Sequence, residues 1–357
     1  MSGVRLDCAV TRARARYIGQ AAILGLSSCL LAGCAPAAHE GYTSLQGATM
    51  GTYYRLQAQC PVAPTSAAVD AQLLAFNKVF STYDPDSELS RLNRAAATQW
   101  VSVSADLYAV LQVAAKLGAD SGGAFDPTIG ALVDLWGFGA PRSSDGAPSA
   151  QTVAQAREGT GLAALEFAEP VGNDYRVRLL SPRQIDLSAL AKGRGVDELF
   201  ESLRAQGCTD LLVDIGGEIR VAGQSSKQRP WRLAIEQPGK LTPDSDVLPV
   251  LQLGEGAVAT SGDYLNYREL DGQRYSHLID PRTGYPITHG LASVTVWHPE
   301  AMWADGYATL ISIVGPEQGQ RLAEQAKLAV ALLVRGPNGF STWQSPEFQR
   351  RFGPPGR

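Results

Sequence analysis

The chain has 357 residues, 45% hydrophobic and 18% charged, with 31 Lys and Arg against 35 Asp and Glu for a formal net charge of −4. That composition suits a globular protein with a proper core and excludes a disordered or collagen-like chain. The negative balance, with no basic block beyond the first residues, excludes electrostatic capture of nucleic acid.

Arg12, Arg14 and Arg16 precede the apolar run "YIGQAAILGLSSCLLAGC", the order of an export signal. The run falls short of the ~20 residues that span a bilayer. "LAGC", Leu31 to Cys34, has the form of a bacterial lipobox, whose cysteine is diacylated and becomes the first residue after cleavage. Residues 1–33 are read as a lipoprotein signal peptide and Cys34 as the lipidation site; a plain signal peptide with a chance cysteine is the alternative. Cleavage removes Arg5, Arg12, Arg14, Arg16 and Asp7, a net +3, and takes the formal charge from −4 to −7. Residues 34–44 read as a tether, 45–345 as one domain with two lobes, and 346–357 as a C-terminal tail. Export permits a disulfide between Cys60 and Cys208, but their wide spacing suits buried thiols equally.

Within the domain, "ATMGTYYRLQAQC" (48–60) alternates and predicts one strand, broken by Pro61 and Pro64. Val69, Leu73, Phe76, Val79 and Phe80 at helical spacing behind Ser66 predict the first helix, and "SADLYAVLQVAAKLGADSGG" behind Ser104 predicts the next. "YRVRLL", "DLLVDIG", "WRLAIEQ" and "ASVTVW" read as strands, whereas "VDELFESLRAQG" and "MWADGYATLISIVG" read as helices closed by glycine. Hairpin turns at Asn173-Asp174 and Asp271-Gly272 make the strands antiparallel neighbours, so the fold class is α+β, antiparallel or mixed sheets with packed helices. "GEGAVA" (254–259) fits a loosened dinucleotide fingerprint, yet "TSGDYLNYREL" behind it is a poor helix start, and no Rossmann site is expected. The sequence holds no P-loop, C-x-x-C pair or H-E-x-x-H.

Three constellations carry chemistry. In "IDLSALAKGRGVDEL" (185–199), Asp186 and Lys192 flank a turn entering a helix, where amides, a cation and two glycines suit a phosphate ester. An ordinary helix start with a solvated lysine gives the same pattern. Asp305 and Thr309, four apart on one helix face, form a partial oxygen shell for a hard cation such as Mg²⁺, or a capping acid and a packed threonine. His277 precedes the Asp280-Pro281 corner, which holds an imidazole fixed for proton transfer or for a merely structural bond.

These stretches occur together with "MGT" (50–52), "FSTYDPDSELSRLN" (80–93), "GGAFDPTIG" (122–130), "DIGGEI" (214–219), "ATSGDY" (259–264), "HLIDPRTGYP" (277–286) and "ADGYATLISIVG" (304–315). In that order, over nearly the whole mature chain, they resemble the ApbE-type FAD:protein FMN transferases. The resemblance implies the flavin-transferase (ApbE-like) fold, with FAD as substrate and Mg²⁺ as cofactor. It implies transfer of FMN through a phosphoester bond to a Thr or Ser of a partner flavoprotein, with release of AMP. Acceptors implied are subunits of Na⁺-translocating NADH:quinone reductase or the related Rnf complex. Met50, Tyr83, Ala124, Phe125, Asp126, Asp186, Lys192 and Ile279 match the flavin-nucleotide contacts. Ala189, through its carbonyl, with Asp305 and Thr309, matches the metal site. His277 and Lys192 take the catalytic roles, base and phosphate cation. Arg194 and Gly195 depart from the family, which often has an aromatic and a small residue there. The implied location is the cell membrane, lipid-anchored and facing the periplasm. Alternatives are a Mg²⁺-dependent FAD pyrophosphatase and a non-catalytic flavin-binding lipoprotein.

Overall fold

One eight-stranded sheet has an order across it that follows the order along the chain, with tight turns at Met50-Gly51 and Gly216-Gly217 and longer excursions between other neighbours. The strands are Thr43–Thr49, Thr52–Gln59, Asp210–Ile215, Glu218–Ala222, Glu255–Gly262, Leu291–His298, Ala329–Gly336 and Gly339–Gln344. Every neighbouring pair is antiparallel. The computed structural model describes residues 41–139, 146–235, 250–263, 266–337 and 339–353, and Glu40–Arg357 group as one compact unit. The expected signal peptide, Cys34 and the start of the expected tether lie outside the described residues.

Nine helices are described: α1 Ser66–Phe80, α2 Glu88–Asn93, α3 Ala105–Asp120, α4 Gly130–Leu135, α5 Ala150–Glu158, α6 Ser188–Ala205, α7 Ala301–Val314, α8 Pro316–Gln325 and α9 Pro346–Phe352. Helices α6 and α7 cover one face of the sheet, where Val196, Leu199, Ala301, Ala304 and Ala308 meet Val213, Ile215, Ala257, Ala259 and Val296. The opposite face packs Val221, Val258 and Ala331 under Trp231, Leu251, Leu253 and Phe348. A second apolar cluster centres on α3 and reaches Leu190 of α6 and Leu310 of α7, so these two helices are shared by both cores. The α+β expectation with antiparallel sheets and packed helices therefore holds.

Local differences have local causes. The run 48–60 is a hairpin and not one strand, because the chain reverses at Met50-Gly51, where φ is 49° and 71°. Apolar-polar alternation continues through that turn and hides it. Since the first strand begins at Thr43, the folded domain starts ahead of residue 45. Thr65, not Ser66, caps α1, its side chain accepting from the Ala68 amide; Ser104 caps α3 as expected. Helix α6 begins at Ser188, well before Val196, and takes in Gly193 and Gly195. Glycine there costs about 1 kcal/mol of propensity each, and tertiary packing outweighs it. Residues 346–352 are no tail: Ser345 caps α9 and Phe348 is fully buried. The "GEGAVA" segment is strand from Glu255 onward, and among the described residues no helix follows it before Ala301.

Cys60 and Cys208 are joined in a disulfide across 148 residues, at the outer end of the paired strands Thr52–Gln59 and Asp210–Ile215. Closing so long a loop restricts the unfolded chain by about 5 kcal/mol in the chain-entropy account. Unfolding by urea should therefore show the C60A/C208A variant losing stability of that size, and wild type should lose as much when reductant is added.

Candidate functional site

The site is built where α6 and α7 touch. A Cβ on Gly193 would sit 2.4 Å from the Ala301 carbonyl oxygen and 2.7 Å from the Met302 Cα, so only glycine lets the two backbones meet. The Gly193 amide donates to Asp305 Oδ2 at 3.0 Å. In an ideal α-helix that hydrogen belongs to the carbonyl of Ala189. Its pull toward Asp305 weakens the claim on that carbonyl and couples the two oxygens.

Lys192, one turn into α6, pairs with Glu218 at 2.6 Å. Glu218 opens its strand beside the Gly216-Gly217 turn and is 1% exposed; Asp305 is 2% exposed. Burial works to lower the Lys192 ammonium, but the charges of Asp305 and Glu218 outweigh it and hold the group above its ordinary value. Burial raises both carboxyls, and Asp305 raises Glu218 further, against the opposing pull of Lys192. Two buried acids thus crowd one ammonium, which offsets only part of the cost of burying them. Neutral oxygens stand beside the cluster: Thr309 Oγ1 lies 3.3 Å from Ser261 Oγ, on the strand facing α7.

His277 follows the strand Gln273–Ser276 and is fixed twice to one residue, its amide and its Nδ1 both donating to the Asn266 carbonyl at 3.2 and 2.9 Å. A carbonyl only accepts, so Nδ1 carries the hydrogen and Nε2 keeps its lone pair. Burial lowers the imidazole pKa below 6.5, the Lys192 charge lowers it further, and the Asn266 bond opposes both. Two residues on, Ile279 is buried with Leu132 and Trp136, anchoring the corner.

The remaining predicted contacts gather around the N-terminal end of α6. The Met50 side chain packs where Gly195 offers room: a Cβ there would lie 2.6 Å from Met50 Cε. Asp186 donates its amide to the Pro127 carbonyl, which brings it to the "AFDP" segment. Ala124 and Phe125 are buried, and Asp126 accepts from the Thr128 amide and hydroxyl at 2.8 and 2.6 Å. Tyr83 is exposed; burial of its hydroxyl end raises its phenol, and the charges of Asp186 and Asp134 add to this. The structure thus links Lys192, Ala189, Asp305 and Thr309 through one helix pair, and Asp126, Asp186 and Tyr83 through one rim.

A model of the ApbE family matches residues 50–333. The chain belongs to the ApbE family. A relative named FAD:protein FMN transferase from Klebsiella pneumoniae (strain 342) is 38% identical over 339 residues, 92% of this chain and 96% of its own. One of the same name from Vibrio cholerae (strain O395) is 39% identical over 328 residues, covering 90% and 96%. The apo crystal structure of the Pseudomonas stutzeri flavinyl transferase ApbE superposes with a TM-score of 0.79 at 35% identity, over 88% of this chain and 98% of that one. The Vibrio cholerae flavin transferase ApbE gives 0.78 at 38% identity, over 87% and 99%.

Two site residues of this ApbE family member escaped the sequence reading. Glu218 sits in "DIGGEI", which reads as a turn, and nothing local in that string marks its carboxylate as buried. Ser261 lies in "ATSGDY", and its signal is the alternation that turns Ala259 and Ser261 to the same face. Arg194, the departure from the family pattern, pairs with Asp106 at 2.6 Å and ties α6 to α3. Alanine at Gly193 should force the Ala301 backbone away and destabilise the fold by about 1–3 kcal/mol, as overpacking does; thermal unfolding monitored by circular dichroism measures it.

Proposed function

We propose that this chain transfers FMN from FAD to a Thr or Ser hydroxyl of a partner protein and releases AMP, with Mg²⁺ as cofactor. The observation that carries the reading is the cluster in which the buried acids Glu218 and Asp305 crowd the Lys192 ammonium, with a neutral imidazole at the edge of its field. The donor set suits a hard cation: Asp305 offers a charged oxygen, Thr309 a hydroxyl and Ala189 a carbonyl. Among the described residues no three His, Cys, Asp or Glu side chains form a ready metal cage, so water and phosphate oxygens would complete the shell. Bound there, Mg²⁺ supplies charge neutralisation for the diphosphate.

The chain's own groups do the rest. Lys192 attracts the phosphate oxygens and steadies the charge that grows on them. His277 Nε2 takes the proton from the attacking hydroxyl. A bond forms from that oxygen to the FMN-side phosphorus as the bridging P–O bond breaks, and AMP leaves with the bridging oxygen. Incubation with FAD, Mg²⁺ and an acceptor domain tests the reading: covalent flavin fluorescence on the acceptor supports transfer, free FMN with AMP supports hydrolysis, and intact bound FAD supports a binding protein.

His277→Ala should lower kcat by about 10²–10⁴-fold while FAD affinity stays close to wild type. Because the folded imidazole titrates below 6.5, transfer should hold steady from neutral pH down past that value and then fall as Nε2 protonates. A pH profile of kcat/KM, which reports the free enzyme, whose acid limb lies above 6.5 counts against His277 as the base.

Lipid anchoring through Cys34 on the periplasmic side completes the proposal, with membrane-bound flavoprotein subunits as acceptors. The support is the lipobox reading alone. Cys34→Ser should move the protein to the soluble fraction with transfer activity intact; fractionation with an activity assay checks both.

A further inference from the structure

Helix α7 starts without a cap of its own. Glu300 occupies its N-cap position and makes no side-chain cap bond. The first amides, of Ala301 and Met302, donate instead to the carboxylate of Asp197 at 2.8 and 2.9 Å. Asp197 belongs to α6, 104 residues earlier, and is 3% exposed. Arg220, from the strand that begins at Glu218, donates to the same carboxylate at 2.7 Å and lies 4.4 Å over the Phe200 ring. A cap is ordinarily a neighbour in sequence that ends a helix. Here one carboxylate fastens two helices and a strand.

The positions of the fastenings give the device its purpose. Asp197 meets Ala301, and Gly193 meets Asp305. Each contact lies four residues from the other on both helices, in opposite directions, as one face of an antiparallel pair requires. One further four-residue step on each helix arrives at Ala189 and Thr309. The three groups assigned to the cation therefore occupy the next positions of a register whose far end is held by Asp197. An axial slip of α7 by a single residue, 1.5 Å, would carry Asp305 and Thr309 out of place together.

We infer that Asp197 is a positioning residue for the cation site: by capping α7 from α6 it sets the register that presents Ala189, Asp305 and Thr309 together. The inference rests on the metal assignment proposed above. Mn²⁺ replaces Mg²⁺ as a spectroscopic probe, and its binding to the full-length protein without FAD is followed by the loss of the free-ion EPR signal. Asp197→Asn, which cannot accept both amides and Arg220, should bind Mn²⁺ about 10-fold more weakly, the size typical for a residue behind the ligands.

The control is Ser345→Ala, which removes a buried cap remote from the site, where Ser345 Oγ accepts from Val330 and Phe348 and donates to Leu328. That variant should lower Tm and leave Mn²⁺ binding unchanged. Equal weakening in both variants, or Asp197→Asn binding Mn²⁺ as wild type does, overturns the positioning role. Should Asp197→Asn give no folded protein, Arg220→Gln serves with the same readouts: weaker Mn²⁺ binding supports the role, and unchanged binding overturns it. Arg220→Lys, which keeps a cation on the carboxylate, should restore most of the affinity lost in Arg220→Gln. Failure of wild type to take up Mn²⁺ overturns the metal assignment itself, and this inference with it.

Discussion

The contact of two helix backbones at Gly193 is the constraint on which the rest of the site depends. Helix axes separated by side chains stand 8–10 Å apart as a rule, too far for an amide of one to reach a short carboxylate of the other without cost to packing. Removing the Cβ at residue 193 closes that gap, and the Gly193 amide then reaches Asp305 directly. Water is excluded from the seam, so each polar group in it must find a partner within the protein. The partners it finds are the ones that hold the register.

Exclusion of water also sets the electrostatics. In a seam of low dielectric, an acid without full compensation is costly, and both Asp305 and Glu218 are held above the ordinary carboxylate range by burial. Lys192 relieves part of that cost, and a divalent cation held by Asp305 would relieve more of it. The same feature that destabilises the empty seam is thus a source of affinity for a ligand carrying a metal. Sites of this kind keep some of the folding free energy in reserve for binding.

How much of this is visible in a one-dimensional string follows from the range of each interaction. The i, i+4 pairing of Asp305 and Thr309 is local, and it could be read directly. So could the Ser104 cap of α3 and the Asp271-Gly272 turn, where φ is 52° and 75°. The Asp197 cap could not be read, because capping rules look to the residue before the helix, and there Glu300 stands idle. Glycines inside α6 read as a turn because propensity is local, whereas the reason for Gly193 lies on α7 and that for Gly195 on Met50. The Cys60–Cys208 bond escaped for the same reason: strand pairing brings the two residues together, and spacing along the chain does not encode it. The motif order carried the family, but the geometry that explains each motif lies between motifs.

The histidine corner shows how one charge can serve two ends. Lys192 is near enough to His277 to disfavour a second positive charge there, and burial works in the same direction. An ammonium placed to attract phosphate therefore also keeps the base unprotonated before substrate arrives. Once a diphosphate neutralises the ammonium, that repulsion weakens, and the imidazole becomes a better acceptor at the moment a hydroxyl must lose its proton. Rigidity matters for the same step. With Nδ1 held by the Asn266 carbonyl and Ile279 buried in the cluster beneath, the ring cannot turn to present the wrong nitrogen. Base strength and base orientation are thus both set by groups that need never touch the reacting oxygen.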